Sequence, residues 1–352
     1  MAKLKKGAYF TDIHFGKKQN SQVHNQDCLD FIDWFCEQVK KDSEIDYIAF
    51  LGDWNENRSA LNISTLNYSH EGITKICELG LPVYFVIGNH DLYQRHNREI
   101  HSVITHDTFD NLHLIDQPTV VNEVEGSMLF CPFLFPHEYP DLVKYLDIPF
   151  WAGHFEFKGF MVTGYNLKMP TGPDPDDFQG PKHIVSGHFH SRQAAKNVVY
   201  MGNAFPMDFN DAGHFNRGMM TYDHIKDEML FEDWPDCPKY IKTLLSSLMT
   251  DSETLYPQAR VQVLVDIPIT FEESNELREL FKTKYNLREF TLEEMSDLAE
   301  VLSDTETEEI DWDDANLSSV DDLVIKMLDD IVSDKIDNDK LVAMYATLKI
   351  EK

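Results

Sequence analysis

The chain has 352 residues, 42% of them hydrophobic, which is enough to bury a sizeable globular core. No apolar run approaches the roughly 18 residues that cross a bilayer, so we expect a soluble, cytoplasmic protein without a membrane segment. The formal net charge of −30 disfavours a broadly basic surface for nucleic acid. Five scattered cysteines without a CxxC pair indicate a reducing compartment and no disulfides.

Strand and helix patterns alternate in the first third of the chain. The predicted elements are, in order, a strand over 8–10, a helix over 25–40, a strand over 47–51, a helix over 66–77 and a strand over 83–87. The three strands end next to Asp12, Asp53 and Asn89. This β-α-β-α-β order predicts parallel strands whose carboxyl ends meet at one edge of a sheet.

The middle of the chain has more strands and fewer helices. Strands are predicted over 128–135, 150–153, 183–185, 198–201 and 219–222. The fold class we expect is α/β, a two-sheet sandwich flanked by helices, over residues 1–235.

The predicted elements and the charge pattern change after about residue 235. A strand over 261–265, a helix over 272–284 and a strand over 289–292 predict a small β-α-β domain within 236–295. Residues 291–314 contain eleven Asp and Glu and no Lys or Arg, so 296–316 is interpreted as an acidic linker. It is either a plain solvated linker or a tether for a terminal binding element.

Residues 317–352 are predicted to be helical, with Ser318 as a candidate N-cap. Their apolar stripe consists of Val320, Leu323, Val324, Met327, Leu328 and Ile331. A second short helix is predicted around 341–348, and a helical pair this isolated does not bury its own stripe well. It either docks on the core or binds the helices of a partner.

Histidine and acidic side chains recur next to glycines at the predicted strand ends. The motifs are Asp12-Ile13-His14, Gly52-Asp53, Gly88-Asn89-His90-Asp91 and Gly187-His188-Phe189-His190. In an extended segment, residues two apart lie on the same face, as we expect for Asp12 with His14 and His188 with His190. Any single motif is more often structural than functional, but all four in this order predict ligands for two divalent metals. Carboxylate, amide and imidazole together favour Mn, Fe or Zn over Mg or Ca.

The order of these motifs resembles that of the calcineurin-like metallophosphoesterase superfamily. Within it, the chain is similar to the SbcD-type nuclease subunit, the meiotic-recombination-eleven family of double-strand-break repair, in a form that looks phage-encoded. Lys17 and Lys18 follow the first motif much as the family's motif continues. The resemblance is most specific in the first 225 residues, and it implies a host-cytoplasmic location.

The resemblance implies a ligand set for two ions, Mn or alternatively Mg. It places Asp12, His14 and His190 on one ion, Asn89, His154 and His188 on the other, and Asp53 between them. His137, beside Pro136 in a predicted loop, competes with His154 and is the less favoured ligand.

By the same resemblance His90 is the catalytic histidine, which protonates the leaving oxygen or stabilises charge on the phosphorane, and Asp91 orients its ring. One position departs from the pattern. Many family members have a histidine three residues after the bridging aspartate, where this chain has Glu56. Because that histidine serves exonuclease activity in the family, the departure bears on the direction or strength of exonuclease action.

The resemblance also implies partners. The 236–295 region resembles the family's capping, DNA-binding domain, and 317–352 resembles the helices that grip the coiled-coil base of an ABC-type ATPase, an SbcC-like subunit. We also expect a homodimer, formed by the helix around Leu66–Cys77 and the loop after His90.

Cations near the motifs are the candidates for contacts with DNA phosphates, although each taken singly is more often a solvated surface charge. They are Lys17, Lys18, Arg95, His96, Arg98, Arg192 and Arg217.

Three functions are compatible with the sequence. The first is a Mn-dependent DNA exonuclease or endonuclease subunit in recombination and repair, working with the ATPase. The second is a dimerising scaffold that clamps the ATPase and has weak nuclease chemistry, which Glu56 and the negative charge favour slightly. The third is a phosphoesterase that does not act on nucleic acid, against which the accessory domain and terminal helices argue.

Overall fold

Short runs of aromatic and β-branched residues form the strands of two sheets that pack face to face. The computed structural model describes residues 3–94, 96–104, 108–162, 167–250, 255–294 and 340. Residues 1–295 form one compact unit. The predicted linker at 296–316 lies outside the described residues, as does all of 317–352 except Lys340, and with it the stripe of Leu323, Val324, Met327, Leu328 and Ile331.

The strands are, in chain order, β1 Lys6–Phe10, β2 Tyr47–Phe50, β3 Val83–Val86, β4 Leu92–Gln94, β5 Asn97–His101, β6 Leu112–Ile115, β7 Thr119–Val121, β8 Met128–Cys131, β9 Phe150–Gly153, β10 Met161–Val162, β11 Leu167–Lys168, β12 His183–Ser186, β13 Gln193–Ala195, β14 Val198–Tyr200, β15 Gly218–Asp223, β16 Glu228–Asp233, β17 Tyr240–Leu244, β18 Arg260–Val265 and β19 Glu289–Glu294. The helices are α1 Lys17–Asn20, α2 Gln22–Lys41, α3 Ile63–Cys77, α4 Leu245–Thr250 and α5 Phe271–Lys284, with 3₁₀ turns at Tyr139–Tyr145, Pro175–Phe178 and Phe209–Asp211.

Both large sheets have six strands and a parallel centre. The first has the order β16-β15-β1-β2-β3-β6, in which β1, β2, β3 and β6 are parallel. The second has the order β13-β14-β12-β9-β8-β7, in which β14, β12, β9 and β8 are parallel. The predicted α/β sandwich of two sheets is thus confirmed.

The central strands of the first sheet, β1 from Gly7 onward, β2 and β3, are buried on both faces, which is why they are free of charged residues. On one face, Phe10 and Phe50 pack with Phe31 of α2 and Ile73 of α3. Alternate residues such as Ala49 point the other way, into a core shared with the second sheet. The carboxyl ends of strands from both sheets therefore come together along one edge of the sandwich.

The region after residue 235 contains a three-stranded parallel sheet, β17-β18-β19, where the sequence predicted only two strands. Its helix α5 begins at a capping box, in which Thr270 and Glu273 exchange side-chain and backbone hydrogen bonds. Asp27 on α2 accepts hydrogen bonds of 2.6 and 2.8 Å from Arg288 and lies 3.6 Å from Arg260. This buried cluster ties the small sheet to the sandwich.

Up to residue 294, the predicted helices and strands correspond to observed ones, with differences mostly at their ends. The strand predicted over 128–135 stops at Cys131, because Pro132 has no N–H to continue the ladder. All five cysteines are buried and free, as predicted. Among the described helices, none has the length and apolar character needed to cross a bilayer.

We expect Asp27→Ala to lower the free energy of unfolding by about 3 kcal/mol, because it removes the buried carboxylate between Arg260 and Arg288 and leaves the buried charge of Arg260 to the partly exposed Glu289, 3.9 Å away. Urea denaturation measures the change. Asp30→Ala, three residues along α2 on its exposed face, is the control and should change stability by less than about 0.5 kcal/mol. Equal midpoints for the two variants would contradict this account of the cluster.

Candidate metal centre

Polar residues from both sheets meet at the edge where their parallel strands end. Asp12, Asp53 and Asn89 follow β1, β2 and β3 of the first sheet. His154 follows β9, and His188 and His190 follow β12, in the second sheet. The Asp12 carboxylate links the sheets, since it accepts a hydrogen bond of 3.1 Å from the backbone N–H of His188.

One group of donors surrounds Asp12. The Nε2 atoms of His14 and His190 are 3.2 Å apart, and each lies 3.8 Å from Oδ1 of Asp12. His14 Nε2 is also 3.8 Å from Oδ2 of Asp53. These are the residues that the resemblance assigned to the first ion.

A second group surrounds Asn89. Its Oδ1 lies 3.0 Å from Nε2 of His154 and 3.0 Å from Nδ1 of His188. His154 Nε2 is 3.4 Å from the same Oδ2 of Asp53 that faces His14, so Asp53 lies between the groups. His137 is exposed and stacks on Phe135, outside this group.

The donor chemistry fits divalent cations. Asp12 and Asp53 are buried, which by itself raises their pKa values, but the neighbouring histidines outweigh burial and hold both below the usual range. Burial lowers the pKa of His14 and His154, yet hydrogen bonds and charges from the two aspartates raise them to about 10 and about 9. Protons on these imidazoles thus compensate the negative charge of the buried carboxylates. Metal ions bound to the same nitrogen and oxygen donors would compensate that charge equally well.

The backbone at these positions differs from the expectation of extended segments. Asp12 and His14 both have φ 52°, Asp53 has φ 62° and His188 has φ 88°. Left-handed conformations are costly for residues with a side chain and are typical of functional sites. The prediction that Asp12 with His14, and His188 with His190, share one face of an extended segment is therefore wrong. Turns, held by bonds such as Asp12 N–H to the Gly52 carbonyl, aim the side chains of Asp12 and His14.

Two of the motif glycines allow close approach. A Cβ on Gly88 would collide with the backbone nitrogen and the carboxylate of Asp53, and one on Gly187 would collide with the hydroxyl of Thr11. Both positions need glycine because Asp53 and Asp12 pass so near.

Asp91 does not orient His90, contrary to the prediction. Its carboxylate accepts four backbone N–H bonds of 2.9–3.1 Å, from Asp53, Trp54, Asn55 and Gly88. The side chain is fully buried, and burial together with the charge of Asp53 raises its pKa to about 7. Asp91 therefore holds the loop that carries Asp53 and acts through that residue.

His90 lies at the edge of the centre. Its backbone N–H donates to Oδ1 of Asp53 at 2.8 Å, and its ring Nδ1 lies 3.0 Å from the carbonyl oxygen of Glu56. Nδ1 therefore carries the proton in the neutral ring. Burial lowers the pKa of His90, so the ring must take up a proton at Nε2 before it can donate one.

The outer contacts of the histidines were not predicted. Glu156, not singled out before, contacts Nε2 of His188 at 3.0 Å. Glu56, noted only as a departure from the family pattern, lies 2.7 Å from Nδ1 of His14. A carboxylate two or three residues after a motif residue is the one signal that the sequence offered for both.

Most of the candidate DNA-binding cations are bonded to or paired with other side chains of the chain. Lys17 lies 3.7 Å from both Glu56 and Asp208, Lys18 bonds the hydroxyl of Tyr240, Arg98 pairs with Glu138, and Arg192 pairs with Asp233. Arg217 is buried against Asn203 and Asp211, so its predicted contact with phosphate is wrong. His96 is exposed, and Arg95 lies outside the described residues.

The protein is a two-sheet α/β sandwich. Nitrogen and oxygen donors lie together where its strands end, and this arrangement is suited to bind metal ions. The chain belongs to the calcineurin-like phosphoesterase family, whose model matches residues 8–192, more than half of its length. That match contains all the donors described above.

The chain is also 25% identical over 219 residues to exonuclease subunit 1 of Enterobacteria phage T4. The match covers 60% of this chain and 62% of that protein, so it spans less than two thirds of the relative. Weaker similarities in structure link the chain to a dimetal phosphatase from Danio rerio (9% identity, TM-score 0.40, 66% of this chain and 96% of that one) and to nuclease MPE of Pseudomonas putida (13%, 0.30, 64% and 87%).

We expect Asp91→Asn to lower the free energy of unfolding of the metal-free protein by about 3 kcal/mol, because the new amide NH₂ faces two backbone N–H donors that then lack an acceptor. Guanidinium denaturation measures this. In the control, Asp174→Asn, the amide replaces a surface carboxylate that accepts one backbone N–H and pairs with Lys158 at 3.1 Å. Asparagine caps nearly as well, and an exposed ion pair contributes little to stability. A loss no larger than the control's would show that the four bonds to Asp91 do not hold the loop.

Proposed function

We propose that the chain is a metal-dependent DNA nuclease subunit that hydrolyses phosphodiester bonds as an exonuclease or endonuclease. The observation that carries the proposal is the convergence of two donor groups on Asp53, with His90 beside them. The family assignment supports phosphoester chemistry, and the name of the phage T4 relative, an exonuclease subunit, supports a nucleic acid as the substrate.

The proposed centre holds two divalent ions, Mn or alternatively Mg. Asp12, His14 and His190 would bind one, Asn89, His154 and His188 the other, and Asp53 both. When bound, such a pair supplies Lewis acidity and a hydroxide nucleophile at neutral pH.

The protein's own groups complete the chemistry. Asp53 fixes His90 through the 2.8 Å hydrogen bond to its backbone N–H, so the ring stays beside the shared carboxylate. With Nδ1 bonded to the Glu56 carbonyl, Nε2 is the atom that takes up a proton and gives it to the leaving oxygen.

The remaining parts of the proposal concern DNA and partners. Because the described cations Lys17, Lys18, Arg98 and Arg192 are paired within the chain, we infer that a partner supplies most of the affinity for DNA. The word "subunit" in the name of the phage relative supports such a partner. We assign that role to an ABC-type, SbcC-like ATPase bound by residues 317–352, and a DNA-capping role to 236–295.

We further propose a homodimer through α3 and the hairpin after His90. Large apolar side chains are exposed there, with Ile63 78%, Tyr93 50%, Ile100 60% and Ile104 67% accessible. Large apolar side chains are exposed elsewhere on the described residues too, and these four are the ones that an interface at this place would bury.

We expect His90→Ala to lower cleavage of labelled linear duplex DNA at least about 100-fold in Mn²⁺, because the proton donor is lost while the metal ligands remain. The assay is run with and without the ATPase subunit, and with bis-p-nitrophenyl phosphate to follow the chemistry alone. EDTA should abolish both activities and Mn²⁺ restore them.

The matched control is His183→Ala, which removes an imidazole that pairs with Asp227 on the surface, and it should keep wild-type rates. Cleavage of the small diester without cleavage of DNA under any condition would contradict the choice of substrate. Wild-type DNA cleavage by His90→Ala would contradict the role of His90.

We expect the double variant Ile63→Asp, Ile100→Asp to sediment as a monomer under conditions in which the wild type is a dimer, because each charge would be desolvated at the interface. Ile225→Asp is the control, since Ile225 is also 60% exposed but lies in the β15–β16 turn. A dimer that persists in the double variant would place the interface elsewhere.

A further inference from the structure

Two histidines of the centre, one in each donor group, have a glutamate at the ring nitrogen that faces away from the other donors. His188 presents Nδ1 to Asn89 and Nε2 to Glu156, at 3.0 Å from its Oε2. His14 presents Nε2 to Asp12 and Nδ1 to Glu56, at 2.7 Å from its Oε2. The two contacts use different ring nitrogens, but in each the carboxylate lies at the nitrogen that does not contact the other donors.

Glu156 is held in place by its surroundings. It lies two residues after His154, and its backbone N–H donates to the hydroxyl of Tyr139 at 2.9 Å. The ring of Phe133 packs 5.9 Å from that of His188 and limits its rotation. With the ring confined in this way, the contact with Glu156 decides which nitrogen carries the proton.

Glu56 is held from three directions. Its backbone N–H donates to the Phe15 carbonyl at 2.9 Å, and its own carbonyl oxygen contacts His90. Its other carboxylate oxygen lies 3.7 Å from Nζ of Lys17. The contact with His14 is short, although the angles at the two atoms are not those of a well-aligned hydrogen bond.

A third histidine shows what the carboxylates add. His154 has its outer nitrogen Nδ1 at 2.7 Å from the carbonyl oxygen of Leu51, a neutral acceptor. A neutral acceptor fixes the tautomer of an imidazole, whereas a carboxylate also makes the ring a stronger electron donor to a cation. The two groups thus have one carboxylate-supported imidazole each.

We propose that Glu156 and Glu56 are positioning residues that support one metal-ligand histidine each, and that each residue strengthens the binding of a different ion. The inference rests on the proposed two-ion centre and assigns these glutamates a role in metal affinity. It also gives Glu56 a function at the position where the family pattern has histidine.

Mn²⁺ titration calorimetry on the full chain tests the proposal. Glu156→Gln and Glu56→Gln keep side-chain shape and remove the charge, and each should weaken one of the two Mn²⁺ sites about 10- to 100-fold while the other keeps its affinity. Glu156→Ala and Glu56→Ala remove the acceptor and should weaken the same sites at least as much. The double Gln variant should weaken both sites.

The control is Asp227→Asn, which removes the carboxylate from another imidazole pair, 3.0 Å from His183 on the surface, and should leave both affinities unchanged. Single variants with wild-type affinities, or a double variant that keeps one site intact, would overturn the proposal. A wild-type chain that binds fewer than two Mn²⁺ ions would instead overturn the proposed centre itself, so the two failures are distinguishable.

Discussion

The burial of two carboxylates at the junction of two sheets is the constraint on which the rest of the site depends. Asp12 is fully buried and Asp53 is 2% exposed, and burying a charge is costly unless it is paired. The chain compensates these charges with imidazoles, since His14 approaches Asp12 and His154, from the opposite sheet, approaches Asp53. Because imidazole nitrogens balance this negative charge by binding protons, the site is suited to release those protons and bind metal ions in their place.

The scaffold keeps these charged groups in place through backbone contacts. Asp91 accepts four N–H bonds from the segments that carry Asp53 and Asn89, and left-handed turns at Asp12 and Asp53 aim their side chains inward. Such turns cost conformational energy that the two packed cores on either side of the first sheet offset. The site is therefore rigid where its donors lie, whereas His90, with a third of its side chain exposed, lies at its edge.

The sequence predicted the central strands and the identity of the donors because both are local signals. Buried runs such as 47–51 end at the polar residues that face the site. The edge strands β16 and β17 were not predicted, since short strands that alternate polar and apolar residues gain their order from pairing with distant partners. The roles of Asp91 and Glu156 could not be predicted for the same reason, since they depend on parts of the chain that only folding brings near. Their roles arise from where folding brings the backbone of 53–55 and the ring of His188, and no motif spacing records that proximity.

Anomalous diffraction at the manganese edge, from crystals of the chain grown with Mn²⁺, tests the central claim most directly. The account predicts two peaks, one contacted by Asp12, His14 and His190 and the other by Asn89, His154 and His188, with the Asp53 carboxylate between them. A single peak, or two peaks of which neither contacts Asp53, would contradict it.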